Sequence, residues 1–295
     1  MHYIFLDLEW NNAYSKEHKR NINEIIEIGA VKLDEELNLV SRFDCMIRSR
    51  LTKKLGSRFK SLTHISNDEM KDGVKFSKAI TDFIEWAGSD NITITWSNSD
   101  LYAIIENYDA FLPNRKIDIL DNYLDLQKFY QSVVPRENSN QVSLKTAAEE
   151  IGISLDEIAL HRASDDSELT SLIFKKIYKK GDFMKLVVDT RKPEYFERLK
   201  FKPFMITDIN SEYLSGEDLS FKCKRCEHIA SGGGKWTVKN NQLYSDFRCD
   251  NCGYKFVGRI CAKKLYDSVK LKKTAISIKR KSRTKKTQTE AVEAR

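Results

Sequence analysis

Apolar and polar positions along the chain change period several times, and each change marks an element. Residues 2–8 (HYIFLDL) form a short, mostly apolar strand pattern. Residues 24–33 (EIIEIGAVKL) form a second, and 38–47 (NLVSRFDCMI) a third that alternates in part. Helical spacing appears over 77–87 (SKAITDFIEWA), with Ser77 at the N-cap. A β-branched strand follows at 92–96 (ITITW), then a helix over 101–112 ended by Pro113. Ser143 caps a helix over 144–151, which Gly152 closes. The helix over 164–179 puts Leu169, Leu172, Ile173 and Ile177 on one side and stops at Gly181. Three strands followed by alternating helices and strands predict an α/β domain, a mixed sheet flanked by helices, over residues 1–180.

The pattern weakens over 181–215, where Pro193 and Pro203 interrupt mixed pieces, and this stretch reads as a connector. Residues 216–265 carry two C-x-x-C pairs around a hairpin-like stretch, 236–238 and 243–247, joined near Asn240-Asn241. Residues 266–295 read as a basic tail, with disorder expected past about 275.

Composition sharpens this division. A length of 295 suggests two domains, and 41% hydrophobic with 11% aromatic residues suffices for a core. The formal net charge of +7 is unevenly spread. Residues 1–180 hold 24 basic and 29 acidic side chains, residues 181–295 hold 26 and 14, and 270–286 hold nine and none. That excludes a uniformly basic nucleic-acid coat and separates two tasks along the chain. No apolar run approaches the ~18–20 residues that span a bilayer, so no membrane partner is expected. The start, Met-His-Tyr-Ile-Phe-Leu-Asp, lacks the basic opening of a signal peptide, and a cytoplasmic location is the expectation.

The candidate chemistry lies in ordered acids. Asp7 and Glu9 are two apart on a strand and share a face, while Leu8 faces the other way. Such a pair either binds a metal or is an exposed face matched by Lys or Arg. Asp100 follows the strand at 92–96, either beyond a strand end where ligands gather or as a first-turn acid. His161 precedes Asp165 and Asp166 at the start of the late helix, near a shared site or as a surface His with dipole-favoured acids.

Taken in order, these motifs resemble the DEDDh 3′–5′ exonuclease superfamily of DnaQ-like, ribonuclease H-like fold. The phrases carrying the resemblance are Phe5-Leu6-Asp7-Leu8-Glu9, 24–33 and His161-Arg162-Ala163-Ser164-Asp165-Asp166, within about residues 1–178. The resemblance is strongest to the branch with KapD-like proteins and the histone-mRNA and small-RNA exonucleases. It implies two Mg²⁺ or Mn²⁺ ions held by Asp7, Glu9, Asp100 and Asp166, with His161 as general base and 5′-mononucleotides as product. The family spacing selects Asp166, and Asp165 lies about 100° around the helix from it. It also implies single-stranded RNA or DNA 3′ ends as partners, with RNA favoured. DNA proofreading or repair, and a non-catalytic nucleic-acid-binding adaptor, are the alternatives. Trp10 stands where many relatives have Thr, and it either stacks on a base or packs. His64 stands where many have the Gly of Leu-Thr-Gly-Ile, near the expected 3′-terminal nucleotide.

The C-x-x-C pairs Cys223/Cys226 and Cys249/Cys252 are spaced for one tetrahedral Zn²⁺ in a zinc ribbon, since a redox site needs only one such pair. His228 and Cys261 are expected not to ligate, and Cys45 to be an ordinary strand residue. Basic residues interleaved with aromatics, among them Lys224, Arg225 and Trp236, suit single-stranded nucleic acid, and a protein-docking surface is the alternative. Lys279, Arg280 and Lys281 of the tail are further candidates for weak, salt-sensitive polyanion contacts.

Overall fold

The computed structural model describes residues 1–136, 140–155 and 161–278. The chain divides into two compact units, one over Met1–Lys200 and the other from Phe201 onward. In the first, β1 (His2–Ser15), β2 (Arg20–Leu33) and β3 (Leu39–Met46) form an antiparallel meander. Helices α1 (Ser57–Thr63), α2 (Asn67–Asp72) and α3 (Phe76–Ala87) follow. Then come β4 (Asn91–Thr95), α4 (Ser99–Phe111), β5 (Asn122–Asp125), α5 (Leu126–Val133), α6 (Leu144–Glu150), α7 (Ala163–Ile177), β6 (Val188–Asp189) and α8 (Pro193–Lys200). The sheet order is β3-β2-β1-β4-β5-β6, with β1, β4 and β5 mutually parallel. All five residues of β4 are buried, as a central parallel strand covered on both faces requires.

Strand alternation sorts the core into two layers. Ile4, Leu6 and Leu8 pack with Ile80 and Phe83 of α3 and Leu101 and Ile104 of α4. Tyr3 and Phe5 face the other way, onto Phe129 of α5 and Leu169, Ile173 and Phe174 of α7. Asp7 and Glu9 continue the odd series, so they emerge on the α7 side.

Several elements differ from the sequence pattern. β1 runs on past residue 8 to Ser15, paired as far as Arg20, because cross-strand bonds such as Asn12 Nδ2 to Asn23 Oδ1 at 2.8 Å support its polar residues. The short β5 and α5 carry no long periodic signal; Asp125 caps α5 by accepting the Lys128 amide. The stretch 181–215 is shared out. β6 joins the first sheet, α8 packs Tyr195, Phe196 and Leu199 on the α3/α4 layer, and β7 (Phe204–Met205) joins the second sheet.

The second unit contains α9 (Gly216–Leu219), β8 (Phe221–Lys222), β9 (Ile229–Gly232), β10 (Thr237–Lys239), β11 (Gln242–Arg248), β12 (Lys255–Lys264) and β13 (Val269–Ser277). Its sheet order is β13-β12-β11-β9-β8, with β10 on β11 and β7 on β12. One face buries Phe221, Leu243, Phe247, Phe256 and Ile260. The Phe247 and Phe256 rings stack at 5.6 Å. Gly258 lets Phe247 lie on the backbone, since a Cβ there would sit 2.6 Å from the ring. The expected tail from 266 onward is corrected here. Residues 269–277 are a regular strand, in register from Lys264↔Val269 to Phe256↔Ser277. Val269, Leu271 and Ala275 recur at even spacing among the lysines, join the core and so order the segment. Lys279, Arg280 and Lys281 lie outside the described residues. Among the described residues no helix is long and apolar enough to cross a membrane.

Candidate active site and metal centre

The carboxylate cluster is assembled by one strand pair and one helix start. In the β1/β2 register Asp7 lies opposite Gly29 and Glu9 opposite Glu27. The first turn of α7 lies directly on Gly29; a Cβ there would be 2.1 Å from the Ala163 carbonyl carbon and 2.2 Å from the Ser164 nitrogen. Glu27, fully buried, accepts from Arg162 Nε at 2.9 Å, Arg162 Nη2 at 2.5 Å and the Ala163 amide at 3.1 Å. These contacts hold α7 so that Asp166 meets the strand acids. One carboxylate oxygen from each of Asp7, Glu9 and Asp166 lies within 4.8 Å of the others. Asp165 is outside that group and faces the Arg162 and Asp44 side.

Asp100 occupies the first turn of α4 and is 4% exposed. Its Oδ1 accepts the Leu8 amide at 3.2 Å, which ties it to β1 between the two strand acids, although it is not one of the close trio. His161 precedes α7 with φ 79° and an exposed side chain. Its backbone N–H bonds to the Asp166 carboxylate.

Crowding and burial raise the proton affinity of the whole group. Burial pushes the Asp7 carboxyl well up, and Asp100, Asp166, Glu9 and Glu27 add to it. Glu9 is pushed up to about 8, first by burial and then by Asp166. Asp100 is raised by burial against the opposing pull of its own and the Leu8 amide. Asp166 is raised by burial and partly relieved by the His161 amide. Arg162 is the nearby cation, and it is engaged with Glu27 and, at 3.6 Å, Glu69. The cluster is therefore a set of hard oxygen donors short of positive charge, which fits divalent cations of the Mg²⁺ or Mn²⁺ kind.

The other expected contacts fall differently. Trp10 lies on the face opposite Asp7 and Glu9 and packs partly buried against the α3/α4 layer, which supports the packing alternative. His64 is exposed at the C-cap of α1 with φ 59° and ψ 10°, the left-handed position that favours glycine. Neither Glu27, Gly29 nor Arg162 is singled out by the sequence as a site residue. The signal for Glu27 is an acid inside the otherwise apolar, buried run 25–31.

In the second unit the four cysteine sulfurs also lie within 4.8 Å of one another. Cys223 and Cys252 are 3.5 Å apart, and Cys226 and Cys249 are 3.4 Å apart. A tetrahedron with Zn–S bonds of ~2.3 Å has edges of about 3.8 Å, so the set fits zinc. The two turns repeat one pattern. Cys223 N bonds to His228 O and Glu227 N to Cys223 O; Cys249 N bonds to Tyr254 O and Gly253 N to Cys249 O. The fifth residue of each turn is left-handed, Glu227 at φ 59° and Gly253 at φ 68°. His228 turns its Nδ1 to the Cys226 carbonyl, and His228, Cys45 and Cys261 all stay outside the sulfur cluster. Lys224 is exposed, Arg225 stacks 4.5 Å over the Tyr254 ring, and Trp236 packs edge-on to Phe247.

A mixed sheet between two helical layers, with acids from its first strand and two helix starts converging at one place, defines a ribonuclease H-like nuclease domain. The RNase_T exonuclease family model matches residues 4–174, and the chain belongs to that family. The "Probable 3′-5′ exonuclease KapD" of Bacillus subtilis (strain 168) is 28% identical over 179 residues, 59% of this chain and 83% of that protein. A "DNA polymerase III PolC-type" of Staphylococcus saprophyticus is 24% identical over 177 residues, 60% of this chain and 11% of the polymerase. The nuclease domain of 3′hExo, a DEDDh family member bound to rAMP, shares the fold at TM-score 0.51 and 19% identity, covering 61% of this chain and 92% of that one. Cell-death related nuclease 4 (CRN-4) does so at TM-score 0.52 and 17% identity, with 61% and 64% covered. The first unit is thus an exonuclease domain of the RNase_T family, and its fold is shared with a DEDDh nuclease.

Proposed function

We propose that the chain removes 5′-mononucleotides from the 3′ end of single-stranded nucleic acid, with RNA favoured, in a reaction dependent on two divalent metal ions. The convergence of Asp7, Glu9 and Asp166, with Asp100 tied to β1 beside them, carries this reading. These four carboxylates hold the two Mg²⁺ or Mn²⁺ ions. When bound, such ions neutralise charge at the scissile phosphate and lower the pKa of water. His161, at the exposed lip beside Asp166, accepts the proton of the attacking water on its imidazole. Glu27 and Arg162 touch neither substrate nor metal and act by positioning α7. Cys223, Cys226, Cys249 and Cys252 hold one structural Zn²⁺, without which so small a core does not fold.

RNA is favoured because the 3′hExo nuclease domain has a ribonucleotide, rAMP, bound to it. A DNA substrate is the second reading, supported by the match to a segment of a DNA polymerase. The test is degradation of end-labelled RNA and DNA oligonucleotides with Mg²⁺ or Mn²⁺. Metal-dependent release of 5′-mononucleotides is expected, lost in Asp7→Ala and Asp166→Asn. Full activity in either variant overturns the assignment. Metal analysis giving less than about one zinc per chain overturns the ribbon.

A further inference from the structure

The sheet of the second unit has one face without a covering layer. Directly opposed residues in antiparallel strands share a face. The register places Phe256, Gly258, Ile260 and Ala262 of β12 with Ala275 and Leu271 of β13 on the core side. The opposite side carries Arg248 of β11, Lys255, Arg259 and Lys263 of β12, and Lys270 and Lys272 of β13. Asp246 is the carboxylate among them on β11. None of the six cations forms an ion pair among the described residues; Arg259 Nη2 donates to Thr274 Oγ1 at 3.3 Å. Two like-charged pairs stand directly opposite, Arg248↔Lys255 and Lys263↔Lys270. Such pairs weaken the strand pairing that holds them, so this sheet keeps a charge pattern that works against its own stability.

We propose that this outer face of β11–β13 is a binding surface for single-stranded nucleic acid. The inference rests on the nuclease reading above and names where the strand is held. Lys270 and Lys272 stand ~6.8 Å apart along β13, Lys255, Arg259 and Lys263 stand ~13 Å apart along β12, and strands are ~4.8 Å apart, a flat array suited to a chain of phosphates. Tyr244 lies within it, directly opposite Arg259 on one side and Thr237 on the other, and offers a ring face to an unstacked base. An acidic protein partner fits less well. Protein interfaces centre on buried aromatic or apolar anchors in a pocket, and here the aliphatic side chains amount to one opposed pair, Val257 and Ile276, set among cations. A duplex has no unpaired base to stack on Tyr244.

The experiment measures binding of the full chain, without divalent ions, to an RNA strand of about 20 nucleotides, longer than a site of ~4–16. The fourfold variant K255Q/K263Q/K270Q/K272Q is compared with the parent across salt. Affinity is expected to fall at least tenfold, and the slope of log affinity against log salt to flatten by roughly 0.7 per lost contact, about 3 in all. Its melting temperature is expected to equal or exceed the parent's, because both repulsive pairs are removed. If that variant loses its fold, K270Q/K272Q on the outermost strand carries the same test, with a slope change of about 1.4. Y244L is expected to weaken binding about fivefold at unchanged slope. Unchanged affinity and slope overturn the proposal. So does equal loss on a duplex of the same length, or binding of polyglutamate as tight as RNA. If the parent binds RNA as stated but releases no nucleotides with Mg²⁺, the nuclease reading fails and this one stands.

Discussion

Glu27 and Arg162 join the second strand of the sheet to the start of α7 through two bonds from one guanidinium, at 2.9 Å and 2.5 Å. The acid has no exposed side-chain surface, while the arginine side chain is 29% exposed. Arg162→Ala leaves a buried carboxylate unpaired, and a loss of about 3 kcal/mol is expected from urea or thermal unfolding. Exonuclease activity is expected to fall further than the folded fraction, because Asp166 rides on the released helix. Stability and activity within error of the parent would show that the pair does not position the site.

Gly29 gives a separate handle on the same geometry. Its missing Cβ is the space the Ala163 carbonyl carbon occupies. Gly29→Ala must push α7 away from β2, and overpacking of this kind costs about 1–3 kcal/mol or more. The expected result is a stable but nearly inactive enzyme with weakened Mn²⁺ binding by calorimetry. Tight Mn²⁺ binding at the parent level would contradict the described packing.

The raised carboxylates set a pH dependence with a defined sign. Glu9 moves from 4.5 to about 8, and Asp7, Asp100 and Asp166 move the same way. In metal-free protein these groups hold protons more tightly folded than unfolded. Their contribution favours folding below the unfolded values, near 4, and is lost as pH rises through the folded values toward 8. The melting temperature of metal-free protein is therefore expected to fall between about pH 5 and pH 9, and Mg²⁺ to restore more of it at the alkaline end. A flat profile across that range, or one unchanged in Asp7→Asn, would refute the linkage.

Among the non-glycine residues with left-handed backbone are His64 at φ 59° and Glu227 at φ 59°. His64→Gly and Glu227→Gly are each expected to stabilise by about 0.5–1 kcal/mol, the net of relieved backbone strain and lost chain entropy. Equilibrium unfolding of each variant checks this. A loss of nuclease activity in His64→Gly at raised stability would assign the imidazole to substrate.

Much of this molecule is written in local pattern. The strands carrying Asp7, Glu9 and the I-I-E-I-G-A-V stretch, and the helix carrying Asp166, announce themselves because their burial follows periods of two and of 3.6. The cysteine pairs are as plain, because tetrahedral thiolate ligation constrains spacing. What stayed hidden depends on partners far along the chain. Glu27 meets Arg162 across 135 positions, and nothing near either residue marks the pair. The role of Gly29 appears only when α7 is set on it. The packing of Trp10 on the α3/α4 layer shows only once the sheet is assembled. β13 is masked by its own lysines, since its apolar positions, Val269, Leu271 and Ala275, are too few to outweigh the charge around them.

That lysine-rich strand has one more consequence. β13 is the outermost strand of its sheet, and an outermost strand presents unpaired amides and carbonyls to any other extended chain. Lys270, Lys272 and Lys273 line this rim. Two molecules approaching rim to rim would bring these charges together in a row, and the sheet is kept from growing into a fibre by the side chains that obscure it in the sequence.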